Sequence, residues 1–407
     1  MNGMNLFRIS RGAVTAIVII LVASLGSARV FAQTESVLYS FCVLTNCADG
    51  SQPEAGVIMD ASGNFYGTTL TGGVHQGGTV FKLSADGTYT NLHSFGATEA
   101  DGLYPVYGQL LMDGKGNLYG TTSSGGSHSN GTVFRVSPTG EEKILYNFCS
   151  TAGCSDGAAP LSYLIADRQG NLYGTTANGG TNNYGVVFKL APNRTETVLY
   201  RFSGGSDGAN PEAGLAMDSE GNLYGTTYQG GDLSFCGGSG CGTVYKVTPS
   251  GSETVIHAFC SGATSTCSDG ANPYAGVILA KGGLYGATYT GGTYNVGTVF
   301  RVSLGGTENV LHSFAGSFYL DGQSPVGAVA LDSAGNVYGI TPTGGIYGTG
   351  VVYEIGADNT ETIVYNFGKG LNGASTSNVL IDSAGNLYGT AILGGPEDGG
   401  TVFKITP

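Results

Sequence analysis

Asp218-Ser219-Glu220-Gly221-Asn222-Leu223-Tyr224-Gly225, then Gly230-Gly231, then Gly242-Thr243-Val244-Tyr245-Lys246-Val247: this stretch is one copy of a phrase that the chain repeats seven times. Its Tyr-Gly anchors are Tyr66-Gly67, Tyr119-Gly120, Tyr173-Gly174, Tyr224-Gly225, Tyr285-Gly286, Tyr338-Gly339 and Tyr388-Gly389, spaced 53, 54, 51, 61, 53 and 50 residues apart. Such a period belongs to repeat architectures, in which each copy is one supersecondary unit that buries its faces against its neighbours. In the fourth copy four strand-length runs, Ala213 to Met217, Asn222 to Thr227, Gly242 to Val247 and Thr254 to Phe259, are separated by turn residues. Seven such units predict an all-β fold, a seven-bladed β-propeller with four antiparallel strands per blade. A solenoid would have a shorter period and atypical capping repeats.

The chain ends say how the ring closes. Thr34-Glu35-Ser36-Val37-Leu38-Tyr39 copies Thr195-Glu196-Thr197-Val198-Leu199-Tyr200, a fourth strand, whereas Thr401-Val402-Phe403-Lys404-Ile405 copies a third strand. The N-terminal strand is therefore expected to pair into the last blade and leave no free sheet edge. This reading takes residues 33–407 as one domain.

Residues 1–32 read as a secretory signal peptide. Arg8 and Arg11 give the positive start, Ala13 to Leu25 the apolar core, and Val30-Phe31-Ala32 a small-residue cleavage pattern. The run is short for a membrane span, so the mature chain is expected to be secreted, periplasmic or extracellular, monomeric and free of membrane insertion. Removing three arginines with the signal takes the net charge from −13 to about −16. So acidic a surface repels phosphate backbones and anionic lipid, which argues against nucleic-acid partners.

Eight cysteines fall into close pairs, Cys42 with Cys47, Cys149 with Cys154, Cys236 with Cys241 and Cys260 with Cys267. In an exported chain these read as loop-stapling disulfides, each stabilising by about 2 kcal/mol. Zinc would require two pairs to converge, and the pairs lie in different repeats, so neither a metal nor a cofactor is expected.

Two further phrases recur. Asp-x-x-Gly-Asn, at Asp60, Asp113, Asp167, Asp218, Asp332 and Asp382, suits a hairpin turn better than a calcium loop, which needs alternating carboxylates. Asp-Gly-x-x-Pro leads into six first strands from Asp49, Asp101, Asp156, Asp207, Asp269 and Asp321. This too is turn chemistry, although six aspartates ringed about one mouth would attract cations. His93, His257 and His312 stand where other copies have Tyr39, Tyr146 and Tyr200, as packed outer-strand residues. His75, His128, Tyr184, Tyr294 and Tyr347 lie on the loops after Gly-Gly, where rings could stack on a sugar. In a meander these loops and the Asp-Gly-x-x-Pro loops share one end, which gathers all the cysteines and length variation, and which we take as the binding face.

Asp382-Ser-Ala-Gly-Asn-Leu-Tyr-Gly-Thr390, followed by Gly400-Thr-Val-Phe-Lys404, resembles the GloVer tandem-repeat family of exported bacterial proteins, across all seven repeats. The resemblance implies an extracellular propeller-type protein and brings no activity or catalytic residue with it. The function expected is non-enzymatic binding of an extracellular glycan or protein. The alternatives are a lyase or glycosidase acting on polysaccharide and a structural envelope protein. For the enzyme the weak catalytic candidates are Glu54 and Glu212, which follow the Pro in the first and fourth copies; glycosidase carboxyls must lie within about 5–10 Å, and a seven-bladed ring could hold these two farther apart.

Overall fold

Each repeat folds where its turn residues allow. In the computed structural model, which describes residues 34–406 apart from 264–265, 369–373 and 377, the first blade is built from Ile58–Met59, Phe65–Thr69, Thr79–Leu83 and Tyr89–Ser94, hydrogen-bonded in that order and antiparallel. Blade 4, from Ala216–Met217, Leu223–Thr227, Thr243–Val247 and Glu253–Ala258, repeats it. Seven blades of this kind form a seven-bladed β-propeller. The expected signal segment lies outside the described residues; Gln33–Pro407 is one compact unit.

Closure is as the chain ends imply. Thr34–Ser40 pairs antiparallel with Thr401–Thr406, from Thr34 opposite Thr406 to Ser40 opposite Thr401, and so supplies the fourth strand of blade 7. The hydroxyl of Thr390 in blade 7 donates to the Ala55 carbonyl of blade 1 at 2.8 Å. Thr121 to Ser162, Thr175 to Ala213 and Thr226 to Ala275 are the same clasp at other junctions.

The first strands are shorter than expected. Of Ala213 to Met217 only Ala216 and Met217 join the ladder, because the residues nearest the axis give their carbonyls to the preceding blade, as the Thr175–Ala213 bond shows.

The Tyr-Gly phrase has two tasks. Its Tyr closes the hairpin turn: Asp60 accepts the Ser62 and Asn64 backbone N–H groups at 2.9 Å each on one oxygen, and Asn64 Nδ2 at 2.8 Å and the Tyr66 hydroxyl at 3.1 Å on the other. Asp113, Asp167, Asp218 and Asp382 are held alike, so this carboxylate is spent on its own turn. The Gly makes room for the third-strand aromatic. A Cβ on Gly67 would lie 2.7 Å from the Phe81 ring and one on Gly120 2.6 Å from the Phe134 ring.

Those aromatics form the core between blades. Phe41 meets Phe81, Phe95 meets Phe134, Phe148 meets Phe188, Phe202 meets Tyr245, Phe259 meets Phe300, Phe314 meets Tyr353 and Phe367 meets Phe403, each edge to face with centroids 5.0–5.2 Å apart. Each pair spans a junction and contributes about 0.5–1.5 kcal/mol beyond its buried area. Phe41, at the end of the N-terminal strand, carries the pattern across the closure.

Candidate functional site

The Gly-Gly loops and the Asp-Gly loops meet at one end of the ring. Gly73 donates to the Cys47 carbonyl at 2.9 Å, Gly180 to that of Cys154 at 2.9 Å and Gly292 to that of Cys267 at 2.7 Å. The residue before each Pro donates to the loop of the preceding blade, as Asn210 does to Tyr184 at 2.9 Å and Asn272 to Cys241 at 2.7 Å. All four cysteine pairs sit here, joined as disulfides between near neighbours.

Beyond each Pro the chain turns down toward the axis, and there the copies differ. Blade 2 places Tyr107 at the mouth, blade 4 Glu212 and blade 5 Tyr274, around a space of about 30 Å³ that also meets Leu161, Val326 and Asn378, room for a water or two. Tyr163 closes it from below. This residue stands where five other blades have Gly or Ala and blade 7 has Asn378, and a Cβ on Gly214 would lie 2.2 Å from its ring; burial pushes its hydroxyl up to about 12.

Above that plug the mouth is lined by tyrosine. The rings of Tyr107 and Tyr274 meet edge to face at 5.6 Å. Tyr228 lies 5.9 Å and Tyr289 6.3 Å from Tyr274, centroid to centroid. Glu54 and Glu212 bracket this cluster: burial raises the pKa of both Tyr107 and Tyr274, and the charges of both carboxyls add to it. Burial pushes Glu212 up to about 6 and Glu54 in the same direction; Glu54 Oε2 is buried without a hydrogen-bond partner. The two glutamates thus share one electrostatic neighbourhood through the tyrosines between them.

The other expected site residues fall elsewhere. His75, His128, Tyr184, Tyr294 and Tyr347 are exposed and sit one to a blade on the Gly-Gly loops. His75 lies beside the fourth strand of its own blade, near Leu92 and His93, and the Tyr184 ring covers Gly204. None of the five lines the axial space. The aspartates face into the blade junctions rather than the mouth. Asp49, Asp101, Asp156 and Asp321 are buried, and Asp207 and Asp269 half-buried. Asp49 accepts from the Tyr39 hydroxyl at 2.9 Å, Asp156 from Tyr146 at 2.8 Å and Asp207 from Tyr200 at 2.9 Å. They order the loops through backbone N–H groups, which is why they do not form an open cation-attracting rim. His93, His257 and His312 take the place of those tyrosines beside Asp101, Asp269 and Asp321.

The expectation that the cysteine pairs stay apart needs correction. Cys236, Cys241, Cys260 and Cys267 bring their sulfurs within 4.8 Å of one another, with Cys241 and Cys267 3.9 Å apart. The long Gly-Gly loop of blade 4 carries one pair onto the loop that carries the other. The axial tyrosines were not singled out from the sequence as site residues. The signal available was departure from the repeat: Tyr107 and Tyr274 near the Pro, and Tyr228 and Tyr289 after a second-strand Thr, where other copies have Leu70, Ser123 or Ala177.

The signature of the Gloeobacter/Verrucomicrobia repeat matches residues 23–237 and 233–407, and the chain belongs to that family. No curated protein matches it by sequence. Among solved structures it is similar to the extracellular domain assigned to a one-component system of B. thetaiotaomicron, 12% identical, with a TM-score of 0.56, covering 92% of this chain and 40% of that one; the chain thus spans well under half the length of that protein. It is also similar to a gluconolactonase from Xanthomonas campestris, 14% identical, with a TM-score of 0.44, covering 92% of this chain and 89% of that one.

Proposed function

We propose that this member of the Gloeobacter/Verrucomicrobia repeat family is an exported, non-enzymatic binding propeller that takes the hydroxylated end of an extracellular glycan at its axial mouth. The observation that carries the reading is the convergence of Tyr107, Tyr274, Glu54 and Glu212 from four different blades on one spot. Aromatic rings offer apolar edges and faces to a sugar, and their hydroxyls together with carboxyls offer both donors and acceptors. The unpartnered Glu54 Oε2 supplies an acceptor. A carboxyl whose charged form is disfavoured by burial, as in Glu212, accommodates a neutral ligand more readily than a free carboxylate does. Four disulfides support an oxidising compartment.

One observation favours the enzymatic alternative. Glu212 keeps its proton up to about pH 6, the state a general acid needs. Against it, the axial space is only about 30 Å³, too small for a sugar ring, so a sugar would rest on the site rather than be enclosed by it.

A glycan array on purified protein, followed by calorimetry on the best ligand, tests the reading. Glu212→Gln and Tyr274→Phe should each weaken binding roughly tenfold, the worth of one hydrogen bond, while Tyr294→Ala with Tyr347→Ala should leave it unchanged. Loss on the rim with none at the axis would move the site to the Gly-Gly loops. Release of soluble products from polysaccharide, abolished by Glu212→Gln, would make the protein an enzyme.

A further inference from the structure

The blade junctions repeat a second arrangement, away from the axis. A Tyr or His of one fourth strand meets the Asp of the following Asp-Gly loop, and next to both stands a Glu near the start of the next blade's fourth strand, in the series Glu142, Glu196, Glu253, Glu308 and Glu361. Where the first residue is Tyr, its hydroxyl brings a proton to the Asp, as Tyr146 and Tyr200 do. A neutral His in that place can present a lone pair instead.

At two of the three His junctions the donor atoms converge. His93, Asp101 and Glu142 each offer a ligand atom within 4.8 Å of the other two, and so do His312, Asp321 and Glu361. In the first set His93 Nε2 lies 3.8 Å from Asp101 Oδ1. His93 Nε2, Asp101 Oδ1 and Glu142 Oε1 are all buried, and none has a hydrogen-bond partner. Asp101 is only 7% exposed, and the Gly96 and Ala97 N–H groups hold its other oxygen at 2.8 and 3.0 Å, which turns Oδ1 into the junction. In the second set His312 Nε2 is hydrogen-bonded to Asp321 Oδ2 at 3.3 Å and lies 3.5 Å from Glu361 Oε1, the one unpartnered atom of that set. Buried polar atoms without partners call for a ligand or an ion. In the first set three of them meet, and in both sets one imidazole nitrogen and two carboxylate oxygens converge, a donor set suited to zinc-class metals rather than to calcium, which takes six or more oxygens.

We propose that the His93–Asp101–Glu142 and His312–Asp321–Glu361 junctions each bind one divalent transition-metal ion of the zinc class, which clasps the outer strands of adjacent blades. His257 is bonded to Asp269 at 3.1 Å, much as His312 is to Asp321, but Glu308 does not converge with them as Glu361 does at its junction, so the third His junction stays outside the proposal.

The test uses the purified full chain with disulfides intact, stripped with EDTA and titrated with ZnCl₂ by equilibrium dialysis. The expected result is saturable uptake of two ions per chain at micromolar free zinc, with a rise in melting temperature that calcium at the same concentration does not reproduce. The double variant H93Y/H312Y, which places at both junctions the residue that Tyr146 and Tyr200 already supply at others, should lose both ions and melt with the stripped parent. Glu142→Gln with Glu361→Gln provides a second ligand-deficient form should the tyrosine variant not fold. Uptake unchanged in these variants, as would come from exposed His75 and His128, overturns the proposal. So does the absence of saturable uptake below about 100 μM zinc, an affinity too weak to count as a site.

Discussion

The junction glutamates should make the ring less stable as pH rises from 5 to 8. At the Tyr junctions burial is the main cause that pushes Glu196 and Glu253 up to about 7, with a neighbouring aspartate adding to the effect. At Glu196 the neighbour is Asp156, and Arg201 opposes it. Each of these carboxyls holds its proton in the folded chain after the unfolded chain has released its own. Between about pH 4.5 and 7 the native state therefore binds more protons, and stability is highest below that window and falls as pH rises through it. One carboxyl gives a slope of at most about 1.4 kcal/mol per pH unit. Because these side chains are only partly buried, water screens the effect, and about 1–2 kcal/mol for each glutamate is the discounted magnitude. Glu196→Gln isolates one of them at a Tyr junction, where no histidine titrates. The amide keeps the shape and removes the charge, so urea unfolding should find the variant close to the parent at pH 5 and more stable by about 1–2 kcal/mol at pH 8. The aspartate contributions, whose pKa values lie below the ordinary range, are lost only under more acidic conditions. An equal effect of the substitution at both pH values, or parent stability that rises from pH 5 to pH 8, would refute the reasoning.

Deleting residues 34–41 should open the ring by removing the partner of Thr401–Thr406 and the Phe41–Phe81 contact; aggregation or a non-cooperative melt is expected, and a monomer melting near the parent would contradict closure. Tyr353→Phe should stabilise by about 1 kcal/mol in urea unfolding, because the Tyr353 hydroxyl is buried without a partner over Gly339 and five of the seven blades have Phe there. Mass spectrometry of unreduced peptides should find Cys42 joined to Cys47 and Cys149 to Cys154. The informative pair of links is at the junction of blades 4 and 5, where Cys241 and Cys267 are close enough that exchange after mild reduction should yield a Cys241–Cys267 peptide, with no corresponding cross-link from Cys42–Cys47 or Cys149–Cys154 to another pair.

What could be read from the sequence was whatever the repeat states more than once. Seven Tyr-Gly anchors and a fourth strand displaced to the N-terminus specify blade number and closure, because every copy must satisfy the same junction and any error would recur seven times. Strand ends at the axis were less accessible: Ala213, Gly214 and Leu215 look like strand residues, but the hydroxyl of Thr175 takes the Ala213 carbonyl that a ladder would have used, a contact between residues 38 apart. The aspartates of Asp-Gly-x-x-Pro show the complementary case. Repetition here marks the structural need that turn chemistry implies: each turns inward to hold its loop, and the ring about the mouth that the same repetition also suggests does not form. Chemistry that acts on a ligand has the opposite signature, since a symmetric ring offers seven equal positions while one ligand on the axis needs unlike groups side by side. Glu54, Tyr107, Glu212 and Tyr274 are such departures, set among Leu161 and Val326 at comparable places. Tyr163 is another, its ring lying over Gly214 where most of its counterparts are Gly or Ala. By the same argument the substitution of His for Tyr at residues 93 and 312 marks where two otherwise equivalent junctions acquire a donor set that the tyrosine junctions lack.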